Sequence, residues 1–315
     1  MDFGKSQNRS RKTFSIFASF IMCCLGTSLM ISSIATQFWF QSGCKLGEEV
    51  SSKSQVYFGL FAGKTSLSKL SSTQYYTKIV CDGGDCMFSC ARTADLRREH
   101  LKRVKEGTAD GFVSVNCDVI GGDSNRALRA QVPAAAALPL MTLSGRALEE
   151  GEESDLLASE SGSSSTTQEV PTSPEFMSYG LWVGTISCLA IGMVFAVVGA
   201  LFAVINTATT PVEFITGVPG LYIWNSMAAL FNLICVILWA VQFHQHLTKN
   251  VLLYDADAGW TTKGMEVFGY SYWLVVVAII VHIANIVIIF VGTYERKAKE
   301  EVRKPEEKSV NLMLY

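Results

Sequence analysis

The side chains able to do chemistry fall in two groups. Five of the nine cysteines, Cys44, Cys81, Cys86, Cys90 and Cys117, sit in one long polar stretch between two apolar segments. Thiols there can hold a metal as thiolates or pair as disulfides. Zinc would want further nitrogen or sulfur ligands at short spacing, yet His100 is the sole histidine nearby and no Cys-x2-Cys spacing occurs. The Cys81-x8-Cys90 spacing suits a bridge between neighbouring strands, and disulfides are the preferred reading; an odd number leaves one thiol over. The second group is inside apolar sequence: His282 with Asn285, and Asn225 and Asn232 seven residues apart. His282 reads as a proton or metal site or as a neutral imidazole bonded to Asn285 or Asn232. With no carboxylate beside it, the structural role is favoured. His244 and His246, two apart, point to nearly opposite faces of a helix and make a poor chelate.

No catalytic constellation accompanies these groups. The chain has no G-x-S-x-G, no H-E-x-x-H and no phosphate-cradling glycine loop. Gly83–Gly84 and Gly121–Gly122 read as turns. The expectation is a protein that is not an enzyme and has no catalytic residue, cofactor or metal.

The elements that must position these residues follow from charge. Only 17% of the 315 residues are charged, against roughly 25% in ordinary soluble chains. The deficit is concentrated in four charge-free runs, Thr13–Cys44, Phe176–Val212, Phe214–Thr248 and Val267–Tyr294. Each exceeds the ~20 residues a helix needs to cross a membrane. Soluble enzymes, nucleic-acid binders and secreted disulfide scaffolds are thereby excluded, and a net charge of −2 favours no polyanionic partner. The predicted fold is an all-α membrane protein: a four-transmembrane-helix bundle with a small disulfide-stabilised, strand-containing first extracellular loop. The spans are placed at 14–37, 181–205, 221–243 and 272–292. A retained first span is preferred to a secretory signal because its apolar stretch exceeds a signal core.

Short flanks set the orientation. Lys5, Arg9, Arg11 and Lys12 precede the first span; Arg296, Lys297, Lys299, Arg303, Lys304 and Lys308 follow the fourth. Basic flanks stay in the cytoplasm, so residues 1–13, the loop 206–220 and the tail 293–315 are expected inside. Residues 38–180 and 244–271 are expected outside, at the plasma membrane. Within the large loop, 41–117 reads as compact, with strand-like Gln55–Phe61 and Tyr75–Val80. Arg92–Glu106 reads as a possible helix supported by Glu99 and Arg103 at i,i+4. Residues 118–178, rich in Ser, Glu, Thr and Pro towards their end, read as mostly flexible.

None of the predicted spans contains Asp, Glu, Lys or Arg, which argues against transport or intramembrane catalysis. Packing signals stand there instead. Gly192, Ala196 and Ala200 recur every fourth residue, and small residues let helices approach closely. Asn225 and Asn232 share one stripe and are placed to bond across helices. Aromatic belts are expected at Phe38, Trp39 and Phe40, at Tyr179 and Trp182, and at Tyr270, Tyr272 and Trp273.

Two resemblances emerge. Trp39, then Gly59-Leu60-Phe61, then Cys81-x8-Cys90 resembles the W…GLW…C…C signature of claudin-like tetraspans, with Phe61 in place of tryptophan and a longer spacing to Cys81. The closer resemblance is to the clarin family. It is carried by Cys44-Lys45-x-Gly47, by Tyr57-Phe58-Gly59-Leu60-Phe61-x-Gly63 and by Pro211 with Gly217-x-Pro219-Gly220-Leu221-Tyr222 and Trp224-Asn225. Phe243-His244 with Leu247-Thr248, Tyr272-Trp273-Leu274, Val281-His282-x-x-Asn285 and the ending Leu312-Met313-Leu314-Tyr315 extend it. It covers roughly residues 13–65 and 179–315. Residues 91–175 form an insert, and the family's first-loop glycosylation sequon is missing.

The superfamily likeness, with the spacing, implies a Cys81–Cys90 disulfide. The clarin resemblance implies a non-enzymatic membrane organiser associated with hair cells, photoreceptors, stereocilia and ribbon synapses. It further implies actin-linked assembly of membrane complexes and a part in the perception of sound. The rivals are claudin-like adhesion or barrier formation and an auxiliary channel subunit. Expected partners are membrane lipid, other membrane proteins held laterally, and a cytoplasmic PDZ-type scaffold that takes Met313, Leu314 and Tyr315 as an added strand. Nucleic acid is excluded and self-association is left open.

Overall fold

The computed structural model describes residues 3–68, 72–106, 117, 176–209, 215–252, 255 and 259–312, with side chains at 3–13, 72–73 and 294–312 set aside. All of them belong to one unit drawn from Met1–Gly121 and Glu175–Tyr315. Each of the five expected ranges outside the spans, 1–13, 38–180, 206–220, 244–271 and 293–315, lies partly beyond the described residues.

Four helices are long and apolar enough to cross a membrane: Phe14–Ala35, Tyr179–Ala208, Val218–Leu247 and Tyr270–Thr293. The first is part of α1 (Phe3–Ala35). Between it and the second run β1 (Phe40–Leu46), β2 (Glu49–Phe58), β3 (Ala62–Ser68), β4 (Ser72–Asp82), β5 (Asp85–Ser89), α2 (Ala94–Lys105) and β6 (Met177–Ser178). Then come α3 (Tyr179–Ala208), α4 (Val218–Gln242), a π-helical turn (Phe243–Leu247), β7 (Trp260–Thr261), β8 (Glu266–Phe268) and α5 (Tyr270–Leu312). Helix α1 packs on α3 and α5, and α4 packs on α3 and α5, closing a four-helix bundle.

The all-α expectation needs correction. The loop is an eight-stranded sheet in the order β6-β5-β4-β3-β2-β1-β7, with β8 also paired to β1. Two of its strands come from the other loop, so both loops build one layer. Every described pairing is antiparallel, the arrangement that lets one face pack while the other meets solvent. Asn250 ties the second loop down. Its amide Nδ2 donates to the Trp260 carbonyl at 3.0 Å, and its Oδ1 accepts from the backbone N–H groups of Leu252 and Thr262.

The β4–β5 hairpin turns through Gly83 and Gly84, both at positive φ (59° and 94°), as a two-residue turn of matching twist demands. It sets Cys81 opposite Cys86, and these two form a disulfide with Cα atoms 4.1 Å apart. Cys90 bonds to Cys117. The expected Cys81–Cys90 bridge is therefore replaced. An x8 spacing would suit two strands joined by a long loop, but the glycine pair reverses the chain so early that Cys86 takes the cross-strand position. Cys44 is buried and unbonded.

Two smaller expectations change. Trp39 and Phe40 are fully buried, not belt residues. The Trp39 indole donates to the Ser33 carbonyl at 2.8 Å and meets Trp239 edge-on at 5.2 Å. The tail, expected to be extended, continues α5 through Pro305 to Leu312. Its Glu, Lys and Arg residues are strong helix formers, which offsets the one backbone donor that proline lacks. Met313, Leu314 and Tyr315 lie outside the described residues.

Candidate functional site

The sequence's chemistry converges inside the bundle. The buried face of α4 carries Leu221, Asn225, Ala228, Asn232, Cys235, Trp239 and Gln242, the helical period written in residue types. Asn225 donates through Nδ2 to the Leu221 carbonyl at 2.8 Å, which fixes its amide and aims Oδ1 at the neighbouring helices. Three donors meet that single oxygen. His282 Nδ1 lies 3.0 Å away, Asn285 Nδ2 2.8 Å and the Cys23 thiol 3.4 Å. Asn285 also reaches Cys23 Sγ at 3.2 Å and the Ser19 carbonyl at 3.4 Å. One oxygen on α4 thus ties α1 and α5 together.

A carbonyl oxygen can only accept, so His282 carries a proton on Nδ1 and donates it to Asn225. Its Nε2 faces Gly26 of α1, where an added Cβ would come within 2.7 Å. His282 is completely buried, and only a residue without Cβ lets the ring enter. His282 and Asn285 both bond to Asn225; the expected His282–Asn285 and His282–Asn232 bonds are not made. Asn232 packs flat on Gly192, where a Cβ would lie 2.8 Å from its Oδ1. Its amide finds no hydrogen-bond partner among the described residues.

The small-residue stripe is also displaced. The buried line of α3 runs Thr185, Leu189, Gly192, Ala196, Gly199, Ala203 and Asn206. Spacings of three and four alternate because 3.6 residues make a turn; a strict step of four drifts off the face, so Ala200 is only partly buried and Gly199 takes the contact. Sequence reading missed Gly26, Cys23 and Gly199 as members of the site. The signal that could have found them is the small residue facing each large polar one across a helix pair.

Outside the helices, burial raises the carboxyl of Asp255, while the Tyr75 hydroxyl donating to its Oδ2 at 2.7 Å acts in the other direction. The Cys44 thiol is pushed up to about 12 by burial and then by Asp255, and so stays protonated. His100, on the buried side of α2, is lowered by burial and then by Arg103. No group of three or more His, Cys, Asp or Glu side chains able to hold a metal occurs among the described residues.

Comparison with known proteins bears directly on this bundle. The family model described as Clarin-2-like matches residues 162–289, the stretch that supplies α3, α4 and the apolar half of α5. Over that stretch the chain is similar to clarins. Among curated clarins, Clarin-3 of Homo sapiens is 28% identical over 125 residues, 39% of this chain and 55% of that protein. Clarin-3 of Mus musculus is 27% identical over 121 residues, 38% and 54% respectively. The chain spans about half the length of the curated relatives it matches. Asn225, His282 and Asn285 fall inside the matched stretch on two of its three helices; Cys23 and Gly26 on α1 lie outside it.

Proposed function

We propose that this chain is a clarin, a non-enzymatic tetraspan organiser of the plasma membrane with both termini cytoplasmic. Its sheet faces outward, and it assembles other membrane proteins laterally. The observation that carries the reading is the Asn225 cluster: its donors converge on one Asn225 oxygen, and among the described residues no carboxylate, lysine or arginine stands with them. Such a centre holds helices in register rather than moving a proton or an ion. The likeness to clarins supports the finer reading, a role in sensory-cell membranes and actin-linked complexes. The apolar run Leu312-Met313-Leu314-Tyr315 in the sequence supports capture by a PDZ-type scaffold.

The test is proximity labelling from a fusion at the N-terminus in native sensory tissue, which leaves the C-terminal ligand free. Enrichment of cortical scaffolds and surface receptors is expected, and a one-glycine extension after Tyr315 should remove the scaffolds alone. Labelling confined to lumenal enzymes would overturn the reading. Aggregation of mixed cell populations would transfer it to adhesion, and altered gating of a co-expressed channel to an auxiliary subunit.

A further inference from the structure

Side chains of the loop sheet alternate between a face buried with Phe40, Val56, Phe58 and Tyr75 and a face turned away. On the outer face the strand register aligns Val267, Gln41, Tyr57, Lys64 and Tyr76 in one row across β8, β1, β2, β3 and β4. Lys45 and Lys78 stand outward on the flanking strands, with Gln55 one step along β2 from Tyr57. Helix α2 packs across β4 and β5. There Ser89 meets His100, and Lys105 pairs with Asp85 at 2.7 Å. Thus the carboxylate-bearing end of the outer face is already covered, and among the described residues no element covers β2 and β3. What remains bare is basic, aromatic and amide-bearing, without an acidic side chain in its central rows.

The details fit a ligand rather than a solvated sheet. Lys64 Nζ lies 5.7 Å from the centroid of the Tyr76 ring, a cation held over an aromatic face. Tyr76 is 55% exposed. Burial, then the neighbouring Tyr76, raises Tyr57, so its hydroxyl stays a donor. The Tyr57 ring stacks on Phe38 at 4.5 Å, and Phe38 stacks on Tyr270 at 4.8 Å. Tyr270 opens α5, so the row descends to the start of a membrane-length helix. Tyrosines alone would also suit a protein partner; the lysine held among them is what calls for an anion. Flat rings for sugar planes, amides for hydroxyls and lysines for carboxylates suit an acidic glycan instead.

We propose that the outer face of β1–β4, centred on Tyr57, Lys64 and Tyr76, binds the sialylated headgroup of a glycolipid in the surrounding membrane. The charge complementarity selects an anion, and the aromatic stack ending at Tyr270 selects one presented at the membrane surface. The site does not depend on the organiser reading, and its test reads binding alone.

The full chain in phosphatidylcholine nanodiscs is titrated with a free sialylated ganglioside oligosaccharide, its desialylated form and a heparin fragment; a further nanodisc carries the intact ganglioside. Saturable binding of the sialylated oligosaccharide is expected, weakened about tenfold by desialylation or by Lys64→Gln, the loss of one charge-assisted contact. Tyr76→Ala should abolish it, and Lys102→Gln on α2 should change nothing. The intact ganglioside should protect the Tyr76 region from hydrogen exchange. Circular dichroism matching the parent protein confirms that the two exposed-face variants fold. No saturable binding, equal binding of the heparin fragment, or binding indifferent to both Lys64→Gln and Tyr76→Ala would each overturn the proposal. So would binding of the free oligosaccharide without protection by the intact ganglioside.

Discussion

The bundle and the loop sheet solve opposite problems with similar side chains. In the bundle, a buried polar atom gains most from a protein partner, and His282, Asn285 and Cys23 converge on one oxygen of Asn225. In the sheet, backbone pairing satisfies most polar groups, which releases its outward tyrosines and lysines from structural duty. Disulfides cross-link the sheet at two places, whereas the bundle's cysteines remain thiols. Local covalent closure stabilises one region, and convergence of distant helices stabilises the other. The two should therefore fail separately.

The largest expected effect sharpens that contrast within the sheet. Cys90–Cys117 closes a span of 27 residues and Cys81–Cys86 one of 5. Loop-closure entropy then assigns about 3.5 kcal/mol to the first bridge and about 2 to the second. Cys90→Ser and Cys117→Ser should lower stability equally, and by more than Cys81→Ser or Cys86→Ser. Surface delivery and thermal unfolding of the four variants would read this. A Cys81→Ser variant that matches Cys90→Ser rather than Cys86→Ser would restore the bridge expected from spacing alone.

Next comes the shared acceptor. Asn225→Leu strands three donors in a dry interior, where each typically costs about 1–3 kcal/mol when left unpaired, tempered by measured helix–helix bonds of about 0.6 kcal/mol in membranes. A loss of about 2–3 kcal/mol is expected in detergent unfolding, with the sheet's disulfides unaffected. Gly26→Ala should cost about 1–3 kcal/mol by overpacking His282. Much of that cost should disappear when His282 is itself replaced by alanine, which a double-mutant cycle would show.

How far these regions could be read in advance differs for a physical reason. Charge-free length and period announced the helices, because the membrane requires both. The identity of Asn225, His282 and Asn285 as buried polar residues was also visible. Their pairings were not, since Asn225 and Asn232 share one stripe of α4 while Asn285 lies beside His282 on α5, and only packing decides which reaches His282. The sheet was harder still. Residues 55–61 and 75–80 showed strand character, but β7 and β8 are two and three residues long and acquire strand form only by pairing with β1. The Cys81–Cys86 bridge was hidden because its signal, two adjacent glycines, was read as a turn without following its consequence for register.

The smallest expected effect is a pH dependence confined to the second loop. The raised carboxyl of Asp255 favours its protonated form in the folded state. Its contribution is fully present below the ordinary carboxylate value of 3.8 and is lost as pH rises through the higher folded value. Hydrogen exchange around 250–262 should be slowest at the acid end of that window. Asp255→Asn, which keeps an acceptor for Tyr75, should flatten the trend.

The central claim is that the Asn225 cluster is there to hold helices together, not to bind or move anything. Replacing all of it at once by apolar residues of similar size (Cys23→Ala, Asn225→Leu, His282→Leu, Asn285→Leu) leaves no stranded polar partner, and such swaps are often neutral or stabilising. The measurement is proximity labelling by this fourfold variant beside the parent protein, with surface delivery as the check on folding. The same labelled partners at the same level are predicted, while Asn225→Leu alone is depleted from the surface. A fourfold variant that reaches the surface normally but loses those partners would contradict the account.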